Sequence, residues 1–266
     1  MRAEPGRPPG GRRRPSRLEL AACPAYHGDL RRPGGFAEYA VVDATVLAEV
    51  PDTVTPATAA ALPCAGITAY QAVIRRLHVT GDDTVLITGG AGGVGGFAVQ
   101  LAALAGARVI ATASAGNAEY VRKLGADEVV DHRSEDATAR VRELTGGRGV
   151  DAVVDTVGTE SATSHLALLV HGGGLVAVAG RPDLAAVPAF TTAPSVHDIA
   201  LGAAHSHGDA RARSDLSVML GELLALVAEG RPDPMLSRTL ALDEVPAGLV
   251  ELSGRRVRGK LVQTFH

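Results

Sequence analysis

Thr84-Val-Leu-Ile-Thr-Gly-Gly-Ala-Gly-Gly-Val-Gly-Gly96 is a short β-branched run that ends in a glycine cluster and leads straight into an amphipathic helical pattern. Gly90, Gly92 and Gly95 fill the spacing G-x-G-x-x-G. In a strand-turn-helix context that spacing suits a dinucleotide. One glycine allows the tight turn, the next lets backbone approach a pyrophosphate, and the third packs helix against strand. The pyrophosphate would rest on the unsatisfied N–H groups at the helix start, around Gly92, Gly93, Val94 and Gly95, where the macrodipole favours negative charge. A glycine-rich chain produces chance matches to this pattern, so the strand before it and the helix after it carry the weight.

Outward from this turn, apolar β-branched runs alternate with helical patterns, which predicts βαβ units and a parallel sheet. Strands are expected at Thr84–Thr88, Arg108–Ala113, Glu128–Val130, Ala152–Thr156 and Gly174–Ala179, with helices at Val94–Ala105, Ala118–Leu124, Asp136–Leu144 and Ser161–Val170. Val94, Phe97, Ala98, Leu101 and Leu104 recur at helical spacing and are expected to face the sheet. Gly106, Gly125 and Gly146-Gly147 follow the helix ends, where a left-handed residue closes the last turn. Leu216–Glu229 reads as one more helix on the sheet.

The flanks differ. Gly35–Val42 and Thr45–Val50 look like short strands stopped by Pro51; Leu240–Leu242, a helix from Glu244 and Lys260–Phe265 look like a return to that β-rich body. The expected layout is therefore a Rossmann domain over 56–236, inserted between two pieces of another domain at 25–55 and 237–266. Residues 1–24 stand apart, with Arg2, Arg7, Arg12, Arg13, Arg14 and Arg17 among Pro and Gly and no apolar core of a signal peptide. This tail reads as disordered rather than as a nucleic-acid arm.

Composition narrows the classes. A chain of 266 residues can bury a full core, and 46% hydrophobic residues make it globular. A net charge of −3 and 3% aromatics give no basic surface or stacking platform for nucleic acid. Thr53–Ile74 is free of charge but diluted by polar residues and two prolines, a poor membrane span. Two cysteines, Cys23 and Cys64, make no disulfide framework and fit a reducing cytoplasm.

The ordered series Gly34-Gly35-Phe-Ala-Glu-Tyr, Ala60-Ala-Leu-Pro-Cys-Ala-Gly-Ile-Thr-Ala-Tyr70, Gly89-Gly-Ala-Gly-Gly-Val-Gly95 and Lys123-Leu-Gly-Ala-Asp127 resembles the medium-chain dehydrogenase/reductase superfamily. Thr145–Asp151, Asp155-Thr-Val-Gly158 and Arg258-Gly-Lys-Leu-Val262 agree with it. Within the superfamily the chain is most similar to the zinc-independent quinone-oxidoreductase branch. The resemblance implies an α/β fold, a doubly wound Rossmann sheet of six parallel strands, accompanied by a GroES-like β-rich catalytic domain. Only about thirty residues, mostly Arg, Pro and Gly, precede Gly34, so most of that catalytic domain is expected to be missing.

The second strand should set the cofactor's identity about 20 residues past the glycines, where a carboxylate would hold the ribose 2′-OH of NAD. The chain has Ala113-Ser114-Ala115 there, which permits NADP(H), favoured here over NAD(H). His132 and Arg133, after the third strand, are the candidates for the phosphate; both also read as turn residues on a surface. The resemblance implies that Thr68, backbone near Val157 and Gly180, and Lys260 meet the cofactor. Thr68 is equally a helix or turn hydroxyl and Lys260 equally a solvated lysine.

Zinc-dependent relatives use a cysteine at the position of Cys64, but three protein ligands are needed and no cluster surrounds it. Cys64 is therefore expected as a small buried residue, and no metal site is assigned. His205-Ser-His207 would put two imidazoles on one side if extended, without a third ligand. The reaction implied is hydride transfer from NADPH to an enone, quinone or related carbonyl compound, with no catalytic side chain nominated. Two alternatives stand beside it: a non-catalytic NADP(H)-binding remnant and a zinc alcohol dehydrogenase. The resemblance further implies a homodimer through an edge strand near Ile199–Ala203.

Overall fold

The computed structural model describes residues 35–37, 42–254 and 257–265. The tail at 1–24, Cys23 and most of Gly34–Val42 lie outside the described residues.

After α1 (Pro56–Ala61) and α2 (Pro63–Tyr70), which runs on into a π-helical stretch at Gln71–Arg76, the chain enters β1 (Thr84–Ile87). Then follow α3 (Gly93–Leu104), β2 (Arg108–Ala113), α4 (Ala118–Lys123), β3 (Glu128–Asp131), α5 (Ala137–Leu144), β4 (Val150–Asp155), α6 (Thr159–Leu166) and β5 (Leu169–Ala177). The sheet closes with β6 (Ser195–Asp198), and α7 (Ala203–Ser206) and α8 (Ala210–Ala228) come after it. All pairings are parallel and the strand order is β3-β2-β1-β4-β5-β6, the doubly wound Rossmann arrangement. The order reverses between β1 and β4, and that is where a crevice opens at the strands' carboxyl ends.

The sheet is apolar on both faces, as parallel sheets covered by helices must be. Val85, Ile87, Val109, Ala111 and Val154 pack with α2, α3 and α8 in one core, while Leu86, Ile110, Val153 and Leu175 pack with Val141 and Leu166 in the other. Helix α3 is buried more fully than a single stripe predicts: Phe97, Ala98, Val99 and Ala102 are fully enclosed because α2 covers the side away from the sheet. Leu104, expected to face the sheet, is instead 40% exposed at the last turn, which runs past that cover.

Three boundaries correct the sequence reading. The helix expected at Ser161–Val170 ends at Leu166, and Leu169 already pairs with Val150 as the first residue of β5. The run Leu166-Ala-Leu-Leu-Val170 is apolar throughout, so periodicity could not separate helix from buried strand. Thr45–Val50 is not a strand: Ala44–Val46 form a 3₁₀ turn, and the residues after it alternate buried with half-buried or exposed positions, with no ladder partner among the described residues. The turn at Ala44–Val46 lies against α8, where Ser217 Oγ donates to the Thr45 carbonyl at 3.1 Å, and Ala48 and Val50 are buried in the core that α8 shares.

At the other end β7 (Leu236–Leu240) and β8 (Lys260–Gln263) form a separate two-stranded parallel sheet joined through α9 (Val245–Ser253). The strand expected at Leu240–Leu242 thus lies earlier, and Leu242–Glu244 is a 3₁₀ turn leading into α9. The sheet is fastened to α3: Gln100 Nε2 donates to the Asp233 carbonyl at 3.0 Å, and the Asp233 N–H donates to Gln100 Oε1 at 2.7 Å.

Candidate functional site

The glycine turn leaves β1 at the switch point. Gly89 has φ +67°, and a Cβ on Gly95 would lie 2.2 Å from the Gly89 carbonyl oxygen, so helix and turn are in backbone contact. Gly92 is the N-cap of α3 and provides no side-chain acceptor; its own N–H donates to the Gly89 carbonyl at 2.9 Å, which leaves the N–H groups of Gly93 and Val94 in the first turn uncapped. This is the cradle a phosphate requires. The Lys260 side chain lies over it: its Cδ is 3.3 Å and its Nζ 3.7 Å from where a Gly93 Cβ would stand.

Threonines at the strand ends hold the turn in place. Thr112 Oγ1 accepts from Gly89 N–H at 3.1 Å, the Thr112 carbonyl accepts from Gly90 N–H at 2.9 Å, and Thr88 Oγ1 accepts from Thr156 N–H at 2.8 Å. Thr156 Oγ1 donates back to the Thr88 carbonyl at 2.8 Å. Adjacent strand ends are therefore zipped by the buried hydroxyls of Thr88 and Thr112 and the half-buried one of Thr156, an arrangement no sequence pattern announces.

After β4 the chain is organised by Asp155. Its Oδ1 accepts from the N–H groups of Val157 (2.9 Å) and Gly158 (3.0 Å), while its Oδ2 accepts from Ser161 Oγ (2.5 Å) and lies 3.2 Å from His165 Nδ1. A carboxylate only accepts, so Nδ1 carries the proton in this pair. Burial pushes the Asp155 carboxyl up, but the hydrogen bonds from His165, Ser161, Gly158 and Val157 outweigh it and hold it below the usual carboxylate range. The consequence is a fixed loop that presents Val157, 62% exposed, at the crevice. Gly180 closes the same corner, since a Cβ there would come within 2.6 Å of the Thr159 N atom.

The structure thus brings Gly90, Gly92, Gly93, Val94, Gly95, Lys260, Val157 and Gly180 together at the carboxyl ends of the strands. Ser114 is also there, directly after β2, accepting from Asn117 Nδ2 at 3.3 Å. Thr68 is buried within α2, one turn beyond Ala65, whose Cβ abuts the Gly93 position at 3.3 Å. It is thus an interior helix residue rather than a turn hydroxyl. His132 and Arg133 are exposed in the turn after β3, and the Arg133 N–H donates to Asp131 Oδ1 at 3.1 Å.

One expectation fails. Cys64 is exposed, not buried: it points away from the core in the first turn of α2, between the buried residues Pro63 and Ala65. His205 lies in the short helix α7 (Ala203–Ser206) and His207 is its C-cap, so the pair is not on an extended chain. Among the described residues no group of three His, Cys, Asp or Glu is gathered to hold a metal ion. Asp155, Ser161 and His165 were missed, although Ser161 and His165 at i, i+4 on the helix after an Asp-ended strand are a readable signal.

The family model described as zinc-binding dehydrogenase matches residues 93–210. An alcohol dehydrogenase superfamily protein from Novosphingobium aromaticivorans superposes with a TM-score of 0.78 at 33% identity, covering 88% of this chain and 72% of that one. The chain belongs to the medium-chain dehydrogenase/reductase superfamily. Other proteins match it over part of their length. A quinone oxidoreductase of Pongo abelii is 32% identical over 60% of this chain, which spans 49% of that protein. Erythronolide synthase EryA2 of Saccharopolyspora erythraea is 37% identical over 87% of this chain, which spans 6% of the synthase. The solved CurK enoyl reductase superposes with a TM-score of 0.73 at 25% identity, covering 84% of this chain and 67% of that one. The chain therefore spans half or less of these two curated relatives. Its sequence agrees with the quinone-oxidoreductase-like branch of the superfamily.

Proposed function

We propose that the protein is a zinc-independent, NADPH-dependent reductase of an electron-poor carbon–carbon double bond in a quinone, enone or related carbonyl compound. The observation that carries this is the uncapped start of α3, pressed onto Gly89 through Gly95 and overlaid by the Lys260 side chain. The residues fit the cofactor. First-turn N–H groups at Gly93 and Val94, with Lys260, offer charge and donors for a pyrophosphate. When bound, the nicotinamide supplies a hydride to the substrate. Val157 and the backbone at Gly158 and Gly180 would shape its pocket, held rigid from below by Asp155. Positioning of this kind supplies most of what such a reaction asks of a protein, since the reactive group is the cofactor's own.

A second reading keeps the chemistry and changes the substrate to an enoyl thioester within a polyketide-type assembly. It is favoured by a match to the synthase that extends over 87% of this chain, against 60% for the quinone oxidoreductase. A cytoplasmic location and a homodimer belong to the same proposal, the dimer through the open edge of β6 at Ser195–Asp198, because the strand expected near Ile199–Ala203 lies there and 199–202 are coil and turn; so does a division into a Rossmann body at 56–236 and a second, catalytic unit at 25–55 and 237–266. Among the described residues, no helix is long and apolar enough to cross a membrane.

The test is turnover of NADPH, followed by nicotinamide absorbance, with a quinone, an enone and an enoyl thioester in parallel. Preference for the thioester would select the second reading. Tight NADPH binding without turnover of any of them would sink the enzymatic reading of this chain, and turnover abolished by a chelator would sink zinc independence.

A further inference from the structure

Residues 257–259 lead into β8 between the end of β2 and the start of α3, and Arg258 among them has no role in the scheme above. Arg258 Nε donates to Asn117 Oδ1 at 2.6 Å, and its Nη2 donates to the Gly116 carbonyl at 2.6 Å. Its guanidinium carbon stands 5.9 Å from the centre of the Tyr120 ring. Asn117 in turn donates to Ser114 Oγ. Arg258 is thus clamped onto the turn that follows β2, some 140 residues away in sequence.

The path of the segment is closely determined. The Gly259 N–H donates to the Ala91 carbonyl at 3.4 Å, and a Cβ on Gly259 would lie 2.1 Å from the Met235 carbonyl oxygen, so only glycine passes here, at φ +70°. On one side of Gly259 the Lys260 chain lies against the start of α3; on the other Arg258 reaches the end of β2. Three consecutive residues therefore bridge the two points a dinucleotide's pyrophosphate and adenosine ribose would occupy.

We infer that Arg258 is the residue that recognises the 2′-phosphate of NADP(H), so that the preference for the phosphorylated cofactor is set from the C-terminal strap rather than by His132 and Arg133. The inference rests on the dinucleotide reading proposed above. A guanidinium has five N–H donors, of which Asn117 and Gly116 engage two, leaving donors for a phosphate. Those two bonds and the Tyr120 ring hold it in place, so little ordering is left to be done on binding. The turn itself, Ser114-Ala-Gly-Asn117, carries no carboxylate to repel the phosphate. The β3 side is less suited. There the Asp131 carboxylate accepts from the Arg133 N–H, the Ser134 hydroxyl and the Ala115 N–H, and these bonds keep a negative charge beside Arg133.

The experiment titrates NADPH and NADH into the full chain by nicotinamide fluorescence, for wild type, Arg258→Gln, Arg258→Lys and Arg133→Gln, with thermal unfolding of each. Loss of one charge-assisted bond to phosphate should weaken NADPH about 10–100-fold in Arg258→Gln. NADH should be unaffected, Arg258→Lys should fall between, and Arg133→Gln should stay near wild type. Equal weakening of both cofactors in Arg258→Gln would reduce Arg258 to a scaffold residue and overturn the inference. So would a preference lost only in Arg133→Gln, or a wild type that binds NADH as tightly as NADPH. Wild type that binds neither cofactor would be a different failure, that of the dinucleotide reading itself.

Discussion

Replacing Gly95 by alanine puts the close packing of α3 on the glycine turn to a direct test. The added methyl would stand 2.2 Å from the Gly89 carbonyl oxygen, 2.7 Å from its carbonyl carbon and 3.1 Å from the Gly90 nitrogen, all backbone atoms. Ordinary contact begins near 3.5 Å, so helix and turn must separate by about 1 Å. No rotamer change can relieve this. The helix cannot retreat freely either, because Phe97, Ala98, Val99 and Leu101 are buried on both of its sides. Overpacking typically costs about 1–3 kcal/mol, and an obstruction made of backbone belongs at the upper end. For a chain of this size about 3 kcal/mol lowers the melting temperature by roughly 6–12 °C. Gly92→Ala is the matched control: its methyl meets only the Gly89 oxygen at 3.3 Å, and Gly92 already has a φ of −81° that alanine adopts readily. That variant should melt near wild type yet bind NADPH more weakly, since the methyl projects where a phosphate would approach. Thermal unfolding and NADPH titration of the two variants give the answer. A Gly95→Ala protein that melts with wild type, or a Gly92→Ala protein equally destabilised, would refute the close-approach argument.

Other outcomes follow from the same geometry. Asp155 has a depressed carboxyl, so its contribution to stability is complete above the unfolded value near pH 3.9 and is lost as pH falls through the lower folded value. Asp155→Asn should therefore be less stable at neutral pH, with a gap from wild type that narrows on acidification below about pH 4; a constant gap would contradict the ionised network. Thr88→Val leaves the Thr156 N–H without its acceptor and should cost about 1–3 kcal/mol in urea unfolding, whereas no measurable loss would mean that the hydroxyl zipper is dispensable. Lys260→Met should weaken NADPH and NADH alike and flatten the salt dependence of binding. A selective loss of NADPH would place Lys260 at the ribose rather than at the pyrophosphate.

The nucleotide-binding half was legible because its physics is local. Thr84–Gly96 carries strand, turn and helix signals in 13 consecutive residues, and the positive φ angles at Gly106 and Gly125 follow from helix endings that only glycine completes cheaply. Boundaries failed where the local signal was degenerate, as at Leu166–Val170, where one apolar run serves both a helix end and a buried strand. Thr45–Val50 misled in another way. Alternation there reports burial of every second residue, and a helix surface can bury them as well as a sheet can.

By itself, then, the sequence determined that β1 hands the chain to α3 through a turn built for a phosphate, and that βαβ units follow it in a parallel sheet. Tertiary structure alone decided which distant groups meet at that turn. The Thr88, Thr112 and Thr156 hydroxyls become a zipper only once parallel strands align their ends, and Asp155 becomes a loop anchor only once α6 folds back with Ser161 and His165. Arg258 and Lys260 reach the crevice because Gln100 holds Asp233 and Gly259 lets the strap pass Met235. Such contacts join residues whose separation along the chain leaves no periodic trace, so packing had to bring them together before their chemistry could be read.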